Sequence, residues 1–262
     1  MNRYLHTLRI FWSASISAEM EYRANFVMAT LNSMMTLAGA LFTLFLFYRT
    51  GYEMGGWSWP EALVVVGMFT TLEGMQETFL MPNRTQVTEM VREGTLDFVL
   101  LKPIDSQFWL SVRKLSVWGI PNIFIGLVTI IYAGTRMEQM PGALAYLSAM
   151  VPLALGVIAL YSLGYILSTL TIWFIKLFNI TMAMQSLLET GRYPITAYPT
   201  AYQVFFTFVL PVAFMTTVPA QSVVGRQSAA WLLGAVVVAS GLLLTSRWFW
   251  HFALRYYTSA SS

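Results

Sequence analysis

Glu73 and Glu77 sit inside an apolar run, roughly Glu61–Met81. They are four residues apart, so on a helix they share one face, and Thr70 extends the polar stripe. Ionisable groups in a membrane helix are costly and turn toward the bundle interior. Two chemistries fit. The pair could line a transport path or carry protons. It could instead form a buried ion pair that fixes helix register. Arg113 and Lys114, early in the next apolar run, are the expected partners, because adjacent antiparallel spans would bring them to the depth of Glu77. The ion-pair reading is the better supplied.

The second informative stretch is polar: Arg84-Thr-Gln-Val-Thr-Glu-Met-Val-Arg-Glu-Gly94, followed by Thr95-Leu-Asp-Phe-Val-Leu-Leu-Lys-Pro103. Residues 86–93 can form a short helix, and Gly94 stands where a helix stops. An apolar element follows over Leu96, Phe98, Val99, Leu100 and Leu101, closed by Pro103. The stretch presents Glu89, Arg92 and Glu93. It reads as a compact structured loop, either solvated or a docking knob for a partner.

Other chemistry is poorly supplied. There is no cysteine, and the two histidines, His6 and His251, lie near the termini. None of the three lysines follows a glycine, so there is no P-loop, and GxGxxG, HExxH and GxSxG are absent. The chain is expected to be non-catalytic, with no metal site.

The elements that must position these residues follow from composition. Of 262 residues, 57% are apolar and only 10% charged, and the mean hydropathy is +0.62. A soluble domain carries about 25% charged residues. A soluble globule and a disordered chain are both excluded. The expected fold is an all-α polytopic membrane protein forming one transmembrane domain over 1–262.

A spanning helix needs about 20 apolar residues. Six spans are expected, at roughly 25–48, 61–81, 107–133 (kinked at Pro121), 143–167 (containing Pro152), 178–188 and 229–250. Residues 2–22 read as an amphipathic helix, with Leu5, Leu8, Trp12 and Ile16 on one face. The expectation is a position in the membrane interface over residues 1–23; packing on the protein's own cytosolic side is the alternative. It does not follow a signal-peptide pattern. The turn 50–60 carries Trp57 and Trp59, which suit an interface. A tight turn is placed near Lys176. The segment 191–226 holds Pro194, Pro199, Pro211 and Pro219, too many for one straight helix, so a re-entrant pair of short helices is expected.

Charge gives orientation. With the N-terminus inside and six spans, Arg3, Arg9, Arg23, Arg84, Arg92, Lys102, Arg113, Lys114, Lys176, Arg247 and Arg255 fall inside. Arg49, Arg136, Arg192 and Arg226 fall outside. The excess favours both termini in the cytoplasm. The net charge of +3 therefore records membrane orientation and needs no nucleic-acid partner.

The run Arg92-x-Gly94-x-Leu96-Asp97-x-x-Leu100-x-x-Pro103 resembles the pattern of type-2 ABC exporter permeases. Gly191, Pro194, Pro199, Pro211 and Pro219 are similar to the Gly-x-x-Pro…Pro…Pro arrangement of their extracellular re-entrant segment. The layout agrees over nearly the whole chain. The resemblance is closest to a branch that pairs with a second, different permease and a separate ATPase. It implies an exporter subunit in a bacterial inner membrane, forming half of a translocation path. It implies that the 83–106 loop, with Glu89, Arg92, Glu93, Gly94, Leu96, Asp97, Leu100 and Pro103, supplies the coupling helix for a cytosolic ATPase dimer. ATP and Mg would then sit on that partner, with no cofactor here, and the five Gly and Pro residues of 191–226 would form an external gate. The alternative is a secondary transporter or channel using Glu73 and Glu77, which would call for ionisable residues on several spans. The substrate is not legible.

Overall fold

The computed structural model describes residues 2–52, 54–174 and 178–258; side chains of 2–7, 22–23 and 178–181 lie outside that description. The described residues are helical, with a single β-bridge between Met54 and Trp57 and no strand. This is an all-α membrane protein. Among the described residues, three helices are long and apolar enough to cross a bilayer: Ala24–Arg49, Ala143–Ile172 and Ala229–Leu254.

In chain order, α1 (Asn2–Glu19) turns through Met20–Tyr22 into α2 (Arg23–Arg49). Much of α2 faces outward, with Met35, Phe42 and Phe45 exposed, as lipid solvation allows. Helix α3 (Trp59–Met75) differs. It is buried without a break from Ala62 to Leu72. Ser58 caps it with Glu61 in a reciprocal capping box, and Pro60 fits the first turn.

Beyond Met75 the helix does not stop. Gln76–Leu80 form a π-helical turn, and α4 (Met81–Glu93) carries the rod on. Residues 59–93 thus make a rod about 50 Å long at 1.5 Å per residue. Pro82 has no N–H to give the Thr78 carbonyl four residues back. That carbonyl instead accepts from the Ser116 N–H at 2.9 Å. Gly94 ends the rod at φ +70, its N–H meeting the Met90 and Val91 carbonyls, the left-handed cap that glycine adopts at little cost.

A short α5 (Asp97–Leu100) and α6 (Ser106–Val112) precede a non-helical linker and α7 (Ile120–Thr135). The expected third span is therefore broken at 113–119, and Pro121 opens α7 as one of its first residues rather than kinking a continuous helix. A proline is tolerated there because the first N–H groups of a helix have no partner anyway.

Helices α3 and α7 are the closest pair. Gly67 and Gly74 on α3 face Gly126 and Gly119 on α7. A Cβ on Gly74 would stand 2.5 Å from Ile123 N, and one on Gly126 would stand 2.6 Å from Thr71 N. Glycines seven apart lie on one face, and small residues let membrane helices approach.

Helix α8 (Ala143–Thr169) and the final α13 (Ala229–Leu254) pack together beside them. Pro152 lies inside α8. Helix α9 (Phe178–Leu188) covers the stretch expected for the fifth span, but its 11 residues are too few to cross a bilayer; the turn expected at Lys176 lies outside the described residues.

The segment 191–226 contains α10 (Thr200–Val204), a π turn Phe205–Val209, α11 (Val212–Met215) and α12 (Thr217–Val223). Its two arms bend by 71° at Leu210–Pro211. Both ends are tied to one loop. Trp57 Nε1 donates to Thr196 Oγ1 at 2.9 Å, and Arg226 Nη1 donates to the Gly56 carbonyl at 3.0 Å. The segment thus leaves and returns to the same loop. Trp57 is 3% exposed, so it is core and not an interface anchor as its sequence setting predicted.

Candidate functional site

Two features stand apart from the apolar framework. They lie on the same rod, one within α3 and one beyond α4.

Glu73 faces Arg192, with Oε1 3.9 Å from Nη2. Arg192 also lies over the Phe69 ring, 4.6 Å from its centroid, a favourable cation–π position. The same region holds a cavity of about 30 Å³ bordered by Glu73, Gln76, Gln185 and Glu189, room for about one water. Glu77 turns to α7, where Asn122 Nδ2 donates to Oε2 at 3.0 Å. The sequence expectation is corrected here. Arg113 and Lys114 pair with neither carboxylate, because they fall in the non-helical linker and not inside a span. Among the described residues, no carboxylate lies within 4.0 Å of either. Arg192, counted on sequence as an external base, is drawn into the bundle with 14% of its side chain exposed.

The partner of Glu73 thus comes from the start of the 191–226 segment. That segment is tied down elsewhere as well. Ile195 N donates to Thr217 Oγ1 at 3.2 Å, and Arg226 Nη2 reaches Glu61 Oε1 at 2.7 Å. Gly191, Pro194, Pro211 and Pro219 are buried, whereas Pro199 is exposed.

The second feature is the 83–106 loop. Its inner face is locked into the bundle. Val87, Leu96 and Val99 pack in one buried cluster with Leu110, Tyr165 and Trp250. Leu96 is fully buried, so it anchors the loop and has no surface for a partner. Asp105 caps α6 by accepting from Phe108 N at 2.8 Å and pairs with Arg247 at 2.9 Å. Burial alone would raise the Asp105 pKa. The Phe108 N–H and Arg247 more than offset it and hold the carboxyl below the usual carboxylate range. Trp250 Nε1 donates to Ser106 Oγ, and Gln107 Nε2 to Ser246 Oγ, so α6 is bonded along α13.

The outer face is the reverse. Phe98 is 70% and Leu101 82% exposed, beside exposed Leu100 and Pro103 and the exposed charges Glu89, Arg92 and Glu93. Asp97 is half-buried at the start of α5. On sequence, Phe98 and Leu101 belong to the same apolar element as Leu96 and Val99. What separates them from Leu96 and Val99 is helical phase in a four-residue helix, too short to show a period.

The family model of the ABC-2 family transporter protein matches residues 34–261. The chain belongs to that family. No curated protein and no solved structure matches it. As an ABC-2 family member, it is the membrane permease component of an ABC transporter, and permeases of this family work with ABC ATPases. The match spans the rod with its loop and the 191–226 segment.

Proposed function

We propose that this permease is an exporter subunit that forms half of a translocation path and couples to a separate ATPase dimer through its 83–106 loop. A second, different permease supplies the other half. ATP and Mg are held by the ATPase, and this chain catalyses no reaction. The membrane is a bacterial inner membrane. Both termini and the loop are cytoplasmic, and 191–226 forms the gate on the outer side.

The observation that carries this reading is the apolar tip of Phe98 and Leu101 on an immobilised base. Exposed apolar area costs about 25 cal/mol per Å² relative to burial, and a fixed patch of it marks an interaction site. The neighbouring Arg92, Glu93 and Glu89 supply a polar rim, the usual anatomy of a docking surface.

The route from tip to gate is continuous. A push on the tip acts on α4, which is one helix with α3. Glu93 and Glu73 are twenty residues apart on that rod, about 30 Å. There, short of its far end, the rod meets the gate through Glu73–Arg192. In parallel, Asp105–Arg247 and Gln107–Ser246 pass the displacement to α13. The alternative of a carrier driven by Glu73 and Glu77 is the weaker one, because each carboxylate already has a protein partner.

The test is co-purification of the ATPase with the full chain carrying Phe98→Ser and Leu101→Ser. The expected result is loss of the ATPase with unchanged membrane insertion. An ATPase retained at wild-type level would overturn the coupling assignment. Orientation is tested separately. The chain lacks cysteine, so a single Thr200→Cys can be labelled with a membrane-impermeant thiol reagent. Labelling only from the cytoplasm would overturn the topology.

A further inference from the structure

The permease carries a second cavity, apart from the one beside Glu73. It has a volume of about 490 Å³ and lies between α1, the π turn of the rod, α6, α8 and α13. That is the size of a small-ligand site. Its walls are mainly apolar: Trp12, Phe79, Phe108, Val157, Ile158 and Leu243. Phe79 and Phe108 remain exposed along it, so the groove is open to the side of the bundle.

Its ionised residues are all of one sign. Lys114 and Arg247 line the groove, and no carboxylate does. Arg247 has Asp105 as a partner. Among the described residues, Lys114 has no carboxylate within 4.0 Å, and its side chain is exposed. A smaller cavity shares Leu80, Asn83, Ser111 and Tyr161 with the groove. Arg84 lines that one, also without a carboxylate partner, and the buried Tyr165 hydroxyl beside it meets no acceptor. At this end Lys114 and Arg84 therefore offer positive charge without a matching anion among the described residues.

Polarity is graded along the groove. Leu243 lies one turn before Arg247 on α13, and Ile158 one turn before Tyr161 on α8. On both helices the apolar residue is the deeper one and the polar residue the nearer to the α6 end. Helix α1 closes that end. Trp12 Nε1 donates to the Val112 carbonyl at 3.1 Å, and Phe11 meets Trp109 edge-on at 4.8 Å. An amphipathic helix of this kind marks the depth of lipid headgroups.

We infer that this groove is a resident site for an anionic phospholipid. One acyl chain lies against Phe79, Val157, Ile158 and Leu243, and the phosphate lies at Lys114 and Arg247. The inference needs only that the chain is embedded in a membrane. It does not depend on the direction of transport or on the coupling loop.

The experiment uses native mass spectrometry of the full chain, purified in detergent and titrated with phosphatidylglycerol or with phosphatidylcholine of identical acyl chains. A basic residue near a membrane surface favours an anionic lipid about fivefold. Phosphatidylglycerol is therefore expected to be retained at least fivefold better. Lys114→Gln should lower its retention about fivefold and leave phosphatidylcholine unchanged. Leu243→Trp, at a partly exposed position, should fill the groove and lower retention of both. Three results would overturn the inference. One is equal retention of the two lipids with no effect of Lys114→Gln. Another is displacement of the lipid by millimolar inorganic phosphate, which would mark an ion site without an acyl groove. The third is loss of the lipid when a second permease co-purifies, which would mark the groove as a protein interface.

Discussion

A charged pair inside the bundle and an apolar tip outside it are opposite departures from the same rule. Glu73 and Arg192 place charge where the surroundings are apolar. Phe98 and Leu101 place apolar surface where the loop is otherwise polar. The difference is that Glu73 has met its partner within the chain and the tip has not. A satisfied departure holds parts of one molecule together. An unsatisfied one, on a base as firmly packed as Leu96 and Val99 make it, calls for a second molecule.

The contrast can be broken at the element that carries both. Gly126→Leu would drive a side chain into Thr71, whose backbone N lies 2.6 Å from the Cβ position. Flexible side chains cannot absorb that contact, so the loss should exceed the roughly 1–3 kcal/mol of ordinary overpacking. The variant should fail to accumulate in membranes as a monodisperse species by fluorescence-detected size exclusion. Wild-type accumulation would show that the rod and α7 are not fixed to each other.

Removing one member of the charged pair comes next. Arg192→Met leaves Glu73 without its cation and should lower thermal stability by roughly 2–3 kcal/mol, short of full burial because Glu73 keeps 27% of its side chain exposed. Glu73→Gln in the same chain should restore most of it. If the double variant melts like the single, the two residues do not act as a pair. At the tip the pattern should invert. Phe98→Ser with Leu101→Ser should leave the melting temperature unchanged and cost about 2 kcal/mol in ATPase affinity, taking about 1 kcal/mol for each anchor. A lowered melting temperature would mean the tip is core.

The smallest effect sharpens the boundary between tip and base. Asp105 has a folded pKa below its unfolded value, so its bonds stabilise the chain above about pH 4 and are lost as pH falls through the folded pKa. Asp105→Ala should cost about 1 kcal/mol at pH 7, mostly as a lost helix cap, because a pair this exposed adds little. The variant should also lose the acid limb of stability attributable to this group. An unchanged melting curve would place the clamp elsewhere.

Much of this was legible in the residues. Charge depletion and apolar runs were enough for an all-α membrane fold, Gly94 for the end of the rod, and four prolines for the bend in 191–226. Partner choice was less legible. Depth along a span assumes a straight helix, and the break at 113–119 removed Arg113 and Lys114 from the level where a continuous span would have put them. Arg192 was read as a loop charge because nothing in the local sequence shows that the chain there folds back against Glu73. Glycines at 67, 74, 119 and 126 did carry a signal, a spacing of seven on each of two runs, and it marks the α3–α7 contact.

The linker between α6 and α7 has no helix of its own, yet its amides are not idle. Lys114 N is taken by Asn83 Oδ1 at 2.7 Å, Ser116 N by the Thr78 carbonyl at 2.9 Å, and Val117 N by Glu19 Oε2 at 2.6 Å. In deuterated buffer these three positions should exchange as slowly as helical ones, while an ordinary irregular stretch would exchange at once. Mechanically the break is then a weld. It joins the start of the chain, the middle of the rod and the foot of α7 at one point, so that none of the three can turn without the others.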